Sequence, residues 1–249
     1  MILIFSLALF TGCAGLNNIW QPGPYFIQNH LYWGYLILVF TGMRPGEIGQ
    51  LKTTDIIEEG GLHFFDMRSF DAREGRVARS KVRQLKTTQS ARVIPIHPLL
   101  IEVGLLERVA DLQSIGESRL LPEWKPYKRP TGQMSWGYPL TKSFQYLKKK
   151  CTLKRKDLTL YGGRHLMAAL LDAQGTPQRN RDRIMGHANK GNASGTYGSK
   201  RILTPEEAAV ITKLDTPLIR ELRRLLLTAK KRAEAGELIV LKPWMAPKK

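Results

Sequence analysis

The chain has 249 residues, 43% of them hydrophobic and 24% charged, so one large domain or two small ones can bury a real core without disulfide or metal staples. Its 39 Lys and Arg against 21 Asp and Glu leave a net charge of +18, which sets it apart from an ordinary metabolic enzyme and suits a polyanionic partner, nucleic acid ahead of an anionic membrane surface. Cys13 and Cys151 stand far apart without neighbouring ligand patterns, so neither a disulfide framework nor a zinc site is indicated, and a reducing cytoplasm fits best.

Met1 to Gly15 holds a short apolar run that ends at Thr11-Gly12-Cys13. No Lys or Arg precedes that run, as an export signal would require, and no stretch reaches the roughly 18 to 20 apolar residues of a membrane span. Residues 1–18 therefore read as a strand or loop laid against a core, in a chain that begins inside a domain. After Pro22-Gly23-Pro24, Phe26 to Phe40 is dense in aromatic and aliphatic residues and stops at Thr41-Gly42, which predicts a buried helix with a glycine stop. Pro45 opens a short helix to Leu51, with Arg44 at its entrance and Glu47 in its first turn. A cation at that end opposes the helix dipole unless an anion or a carboxylate compensates it.

From Leu62 to Ile96 the pattern turns β-like, with runs at Leu62 to Met67, Val82 to Leu85 and Arg92 to Ile96. A small antiparallel sheet follows, with Lys86 at a hairpin tip and the charged segment Asp71 to Lys81 as a loop. His97-Pro98 opens a helix to about Asp111. Leu120 to Gly137 is a loop in which Trp124, Tyr127 and Trp136 alternate with Lys and Arg, a pattern compatible with nucleic acid. A helix from Leu140 to Cys151 ends in a Lys run. Helical spacing returns from Arg164 to Ala173 with Gly175 as stop, then from Thr176-Pro177 to Gly186, with His187 just beyond. Pro205 to Leu214 and the amphipathic Pro217 to Ala235 are the last helices, and Lys242 to Lys249 reads as a frayed end.

Five short boxes then stand in one order: Thr41-Gly42-Met43-Arg44-Pro45-Gly46-Glu47-Ile48, Lys86 before Ser90-Ala91-Arg92-Val93-Ile94-Pro95, Gly163-Arg164-His165, Met185-Gly186-His187, and Thr196-Tyr197. Over about Asn29 to Gly198 this series resembles the catalytic domain of tyrosine recombinases, the phage integrase family. The resemblance implies an α+β, mainly α fold with a small antiparallel β-sheet, of the DNA breaking-rejoining enzyme type. It implies a lead-in at 1–28, a catalytic domain at 29–200 and a helical extension at 201–249, packed on its own domain or exchanged between protomers. Residue by residue, it makes Arg44, Lys86, Arg164, His187 and Tyr197 catalytic, with Glu47, Tyr161 and His165 in support. Nine residues separate His187 from Tyr197, a gap of the family's kind.

The chemistry implied is cleavage and rejoining of DNA through a 3′-phosphotyrosyl intermediate, without cofactor, metal or ATP. Charge that builds on the nonbridging phosphate oxygens suits fixed guanidinium groups, and tyrosine serves as covalent nucleophile. Lys86 would protonate the departing 5′ hydroxyl and His187 would assist proton transfer at Tyr197. Expected partners are double-stranded DNA and further copies of the chain, as a tetramer on DNA; no membrane is expected, and the location is the cytoplasm, at the nucleoid. Two features depart from the family pattern. Tyr161 stands where a His is usual three residues before the second Arg, and a phenol, with an ordinary pKa of about 10, donates a hydrogen bond but is a poor base near neutrality. Only about 28 residues precede the catalytic part, too few for the usual N-terminal DNA-clasping domain. Strand relaxation of type IB topoisomerase character and an inactive basic DNA-binding remnant are the alternatives.

Overall fold

The apolar run of the sequence becomes the central helix. The structure, a computed structural model, describes residues 2–68, 90–150, 158–187 and 203–245, with a strand pair at 70–71 and 75–76. In order, the N-terminal part comprises α1 (Ile2–Phe5), α2 (Ala8–Thr11), β1 (Tyr25–Ile27), α3 (His30–Thr41), α4 (Pro45–Ile48), β2 (Ile56–Glu59) and β3 (Leu62–Asp66). The strand pair is β4 and β5. There follow β6 (Val93–Pro95), α5 (Pro98–Glu102), α6 (Leu105–Ser114), the two-residue strands β7 (Tyr127–Lys128) and β8 (Met134–Ser135), and α7 (Tyr138–Lys150). The remainder is α8 (Gly162–Ala173), α9 (Gln178–Met185), α10 (Pro205–Thr212), α11 (Pro217–Glu234) and β9 (Ile239–Leu241).

Helix α3 carries no Asp, Glu, Lys or Arg, and every residue from Leu31 to Thr41 is buried. A helix apolar on all sides must be enclosed, and α4, α5, α7 and α8 pack around it. Its start differs from the sequence expectation: Asn29 Oδ1 accepts the Leu31 and Tyr32 amides at 3.0 and 3.1 Å, so the chain turns into the helix only there, and Phe26 belongs to β1. Its end is Gly42, in the left-handed conformation. The three-stranded sheet runs β2-β3-β6, antiparallel throughout, with Phe65 opposite Ile94. Strand β2 ends in two glutamates, which concealed it in the sequence. The run Val82 to Leu85 lies outside the described residues. The architecture is thus mixed α and β, helix-dominated, with a small antiparallel sheet.

The two ends of the chain are joined. Residues 2–11 are helical rather than strand or loop, and α1 and α2 pack against α11 of the same chain. Phe5 meets Phe10 with ring centroids 4.6 Å apart, and Phe10 meets Tyr32 of α3 at 5.4 Å. Cys13 is buried in this region, and burial pushes its thiol pKa up. Strand β1 pairs in parallel with β9, Tyr25 opposite Ile239. Residues 242–245 are docked, not frayed: Trp244 is buried beneath the Arg108 guanidinium, 4.2 Å from the ring centroid, and Lys242 pairs with Asp111 at 2.8 Å. Gly104, at φ +105°, divides the single helix expected after His97 into α5 and α6. His97 closes the α10–α11 link on α5, its Nδ1 accepting the Leu99 amide while Nε2 meets the Leu214 carbonyl at 2.9 Å. Among the described residues no helix is long and apolar enough to cross a membrane.

Helix α11 buries Ile219, Leu222, Leu226 and Ala229. Leu222→Ala leaves a cavity beneath the buried face of α11, and the expected loss is about 2–5 kcal/mol in urea denaturation; an unchanged midpoint would show that this face does not hold the helix to the core.

Candidate active site

Four of the five boxes have described residues, and the fold brings these to the C-terminal ends of α3 and α9 and the first turn of α8. Glu47 is the buried hub. Its Oε2 accepts the Arg44 amide at 2.9 Å, its Oε1 accepts Arg44 Nη1 at 2.8 Å, and Arg92 Nη2 reaches Oε2 at 3.0 Å. Burial alone would raise the carboxyl pKa, but the charge and hydrogen bonds of Arg92, then the amide and charge of Arg44, outweigh it and hold it at about 2. Arg44 also donates to Ser90 Oγ at 3.0 Å. With Nη1 fixed in this way, the guanidinium stays 20% exposed, and its Nε and Nη2 have no partner among the described residues.

Arg164 binds the two glycine turns of the boxes together. Its Nη1 donates to the Gly42 carbonyl at 2.6 Å and its Nη2 to the Met185 carbonyl, while Nε is buried without a partner among the described residues. Both turns demand glycine. Gly42 sits at φ +63°, where a Cβ would lie 2.8 Å from Met185 Sδ, and Gly186 sits at φ +64°, where a Cβ would lie 2.9 Å from Arg92 Nη1. Burial and the like charges of Arg44 and Arg92 lower the Arg164 pKa to about 10, so the group stays a cation at neutral pH under repulsion that an anion would relieve.

His187 follows Gly186, with its amide donating to the Asp182 carbonyl at 2.9 Å and Nδ1 3.5 Å from Asp182 Oδ1. Its side chain is 45% exposed. Burial, then Arg164 and Arg44, lower its pKa against the opposing pull of Asp182. The imidazole is therefore neutral at pH 7 and within the field of both arginines. Tyr161 is exposed at the start of α8, three residues before Arg164. His165 is exposed and stands edge-on to the Tyr161 ring, with centroids 4.9 Å apart. Lys86 and Tyr197 lie outside the described residues.

Arg92, in the second box, receives no role from the resemblance. It is fully buried, and besides holding Glu47 it donates to the Ile184 carbonyl at 2.7 Å and the Ser90 carbonyl at 2.9 Å. It thereby ties β6 to the end of α9, where His187 begins. Its signal was present: a lone cation immediately before the apolar Val93-Ile94-Pro95 must be paired if that strand is central. Two of the three guanidinium groups in this cluster pair with Glu47 and the third is held by carbonyls, which leaves an excess of positive charge suited to a phosphodiester. Among the described residues no group of His, Cys, Asp and Glu is arranged to hold a metal ion.

Glu47 has a folded pKa of about 2 against the ordinary 4.5. Its depressed pKa contributes stability that is complete above about pH 4.5 and is lost as pH falls towards 2. Glu47→Gln should cost about 3–5 kcal/mol at pH 7 by breaking a buried ion pair, and urea titrations at pH 7 and pH 3 should show the gap to the parent protein shrinking with acid. A gap independent of pH would remove Glu47 from its place as the hub.

No family model, no curated protein and no solved structure matches the chain.

Proposed function

We propose that this protein is a DNA strand transferase of the tyrosine recombinase type, with a catalytic domain of the DNA breaking-rejoining kind. One observation carries the reading: Arg164 donates to the carbonyls of Gly42 and Met185, two residues before Arg44 and two before His187, so three side chains distant in sequence gather in one cluster rich in positive charge. That is what a pentacoordinate phosphate requires, since its nonbridging oxygens gain charge as the nucleophile adds.

In this reading the free Nε and Nη2 of Arg44 take one nonbridging oxygen and the Arg164 guanidinium stabilises the other. The Tyr197 oxygen forms a bond to phosphorus as its proton passes to the neutral His187 imidazole. The bond from phosphorus to the 5′ oxygen breaks, and that oxygen takes a proton from the Lys86 ammonium. The reverse sequence reseals the strand with no external energy source, because the phosphotyrosyl ester preserves the bond. The Tyr161 phenol donates a hydrogen bond to a phosphate oxygen. The substrate is double-stranded DNA, handled by a tetramer in the cytoplasm at the nucleoid.

The test has two readouts. Sulfate should raise the melting temperature of the parent protein and have little effect on Arg44→Ala, because only the parent offers the anion a complete cluster. Nicked duplexes of pooled sequence, from which the cleaved fragment can diffuse, should yield a DNA adduct on a denaturing gel. Tyr197→Phe should abolish that adduct, and Arg44→Ala or Arg164→Ala should slow it by about 10²–10³-fold. Sulfate stabilisation and DNA binding without any adduct would leave a binding protein; no sulfate effect would sink the site itself.

A further inference from the structure

The basic aromatic segment after α6 has no part in this chemistry, yet its β7–β8 hairpin is anchored beside it. From Trp124 to Lys156 the sequence holds ten Lys and Arg and no Asp or Glu. The hairpin β7–β8 is anchored at its base: Trp124 is fully buried, its Nε1 donates to the Trp136 carbonyl at 2.5 Å, and Arg119 lies 5.0 Å from the Trp136 ring centroid while donating to the Trp124 carbonyl at 2.7 Å. On that base Tyr127 and Tyr138 stack on each other, centroids 4.9 Å apart and planes 30° apart, yet they remain 46% and 38% exposed. Lys142 stands 5.7 Å from the Tyr138 ring centroid. Lys125, Lys128, Arg129 and Lys142 are exposed, and none has an acidic partner among the described residues.

The surface adjoins the cluster. Gly137, the residue before Tyr138, lies so close to the start of α4 that a Cβ there would be 3.2 Å from Pro45 Cβ and 3.3 Å from the Gly46 nitrogen. Pro45 follows Arg44 directly. A strand whose phosphate rests on Arg44 therefore continues within reach of the tyrosine pair.

We infer that the Tyr127–Tyr138 pair, with Lys125, Lys128, Arg129 and Lys142, is a stacking platform for unpaired bases next to the phosphate held at Arg44. This rests on the proposed function for the identity of the neighbouring phosphate and adds to it a preference for DNA that is locally unpaired there. Fully stacked duplex hides its base faces, so exposed phenol rings gain from it only through the backbone; an unpaired base presents a face to stack, and unneutralised cations hold the strand beside it.

The test measures binding by fluorescence anisotropy on two DNAs of equal length and charge, a full duplex and one with a short flap of unpaired bases. The parent protein should bind the flap DNA roughly tenfold more tightly. The double variant Tyr127→Ala/Tyr138→Ala should lose that preference with an unchanged salt dependence, and Tyr127→Phe/Tyr138→Phe should keep it. Lys125→Gln/Lys128→Gln/Lys142→Gln should keep the preference and flatten the salt dependence. Equal binding of the two DNAs by the parent protein, or a preference that survives the double alanine variant, would overturn the platform. Because the readout is binding, a flap preference without a Tyr197 adduct would overturn the strand-transfer reading and leave the platform, whereas an adduct without a preference would do the reverse.

Discussion

The site depends on a single carboxylate placed among three guanidinium groups. Glu47 fixes Arg44 through both backbone and side chain and holds Arg92, which in turn reaches the last turn of α9. Remove the carboxylate and three cations face one another in a protein interior, where repulsion is poorly screened. Keep it and the cluster is stable but short of negative charge. The depressed pKa of Arg164 and that of Glu47 record the two sides of this condition: the acid is satisfied by its cations, while the arginine is not satisfied by its acid.

That imbalance gives the positions of α3, α8 and α9 a functional meaning. Arg164 is held by two backbone carbonyls rather than by a carboxylate. Carbonyls orient a guanidinium without neutralising it, so its charge remains available to a ligand. The glycines at 42 and 186 allow the two helix ends to curl near enough for this, and their left-handed backbone excludes a Cβ on both steric and conformational grounds. The cost of holding an unneutralised cation falls on the rest of the fold: on the enclosed helix α3 and on the joined chain ends, where Phe5, Phe10, Leu222 and Leu226 are buried.

Much of this was legible in the sequence because it is written locally. Gly42, Gly175 and Gly186 as stops, Pro45, Pro205 and Pro217 at first helical positions, and the apolar spacing of α8 and α11 each state a helix boundary or face within a few residues. The order of the boxes likewise singled out Arg44, Arg164 and His187 before any geometry. What escaped was settled by distant partners. Strand β9 acquires its identity only by pairing with β1, more than two hundred residues earlier, and Ile239-Val240-Leu241 alone is too short to declare a period. Trp244 appeared to sit in a frayed tail because the Arg108 that covers it comes from α6. The acidic end of β2 and the apolar Ile2–Thr11 show the converse: local composition spoke for loop or strand, and packing against β3 and α11 decided otherwise.

The same distinction separates the two arginines that the sequence reading treated differently. Arg44 is conspicuous because it stands before Pro-Gly-Glu at a helix entrance, where a cation needs an explanation. Arg92 is inconspicuous because it precedes a β-run, where arginines are common on the outer face; its inward direction is fixed by Glu47 and by the α9 carbonyl, neither of which is near in sequence. A buried cation beside a strand can persist only if a carboxylate and carbonyls await it, so the presence of Glu47 at the entrance of α4 and of Arg92 at β6 are two halves of one condition. Among the described residues Arg92 is spent on Glu47 and on carbonyls, whereas Arg44 keeps Nε and Nη2 without a partner, which is why the two arginines of the first two boxes differ in what they can meet.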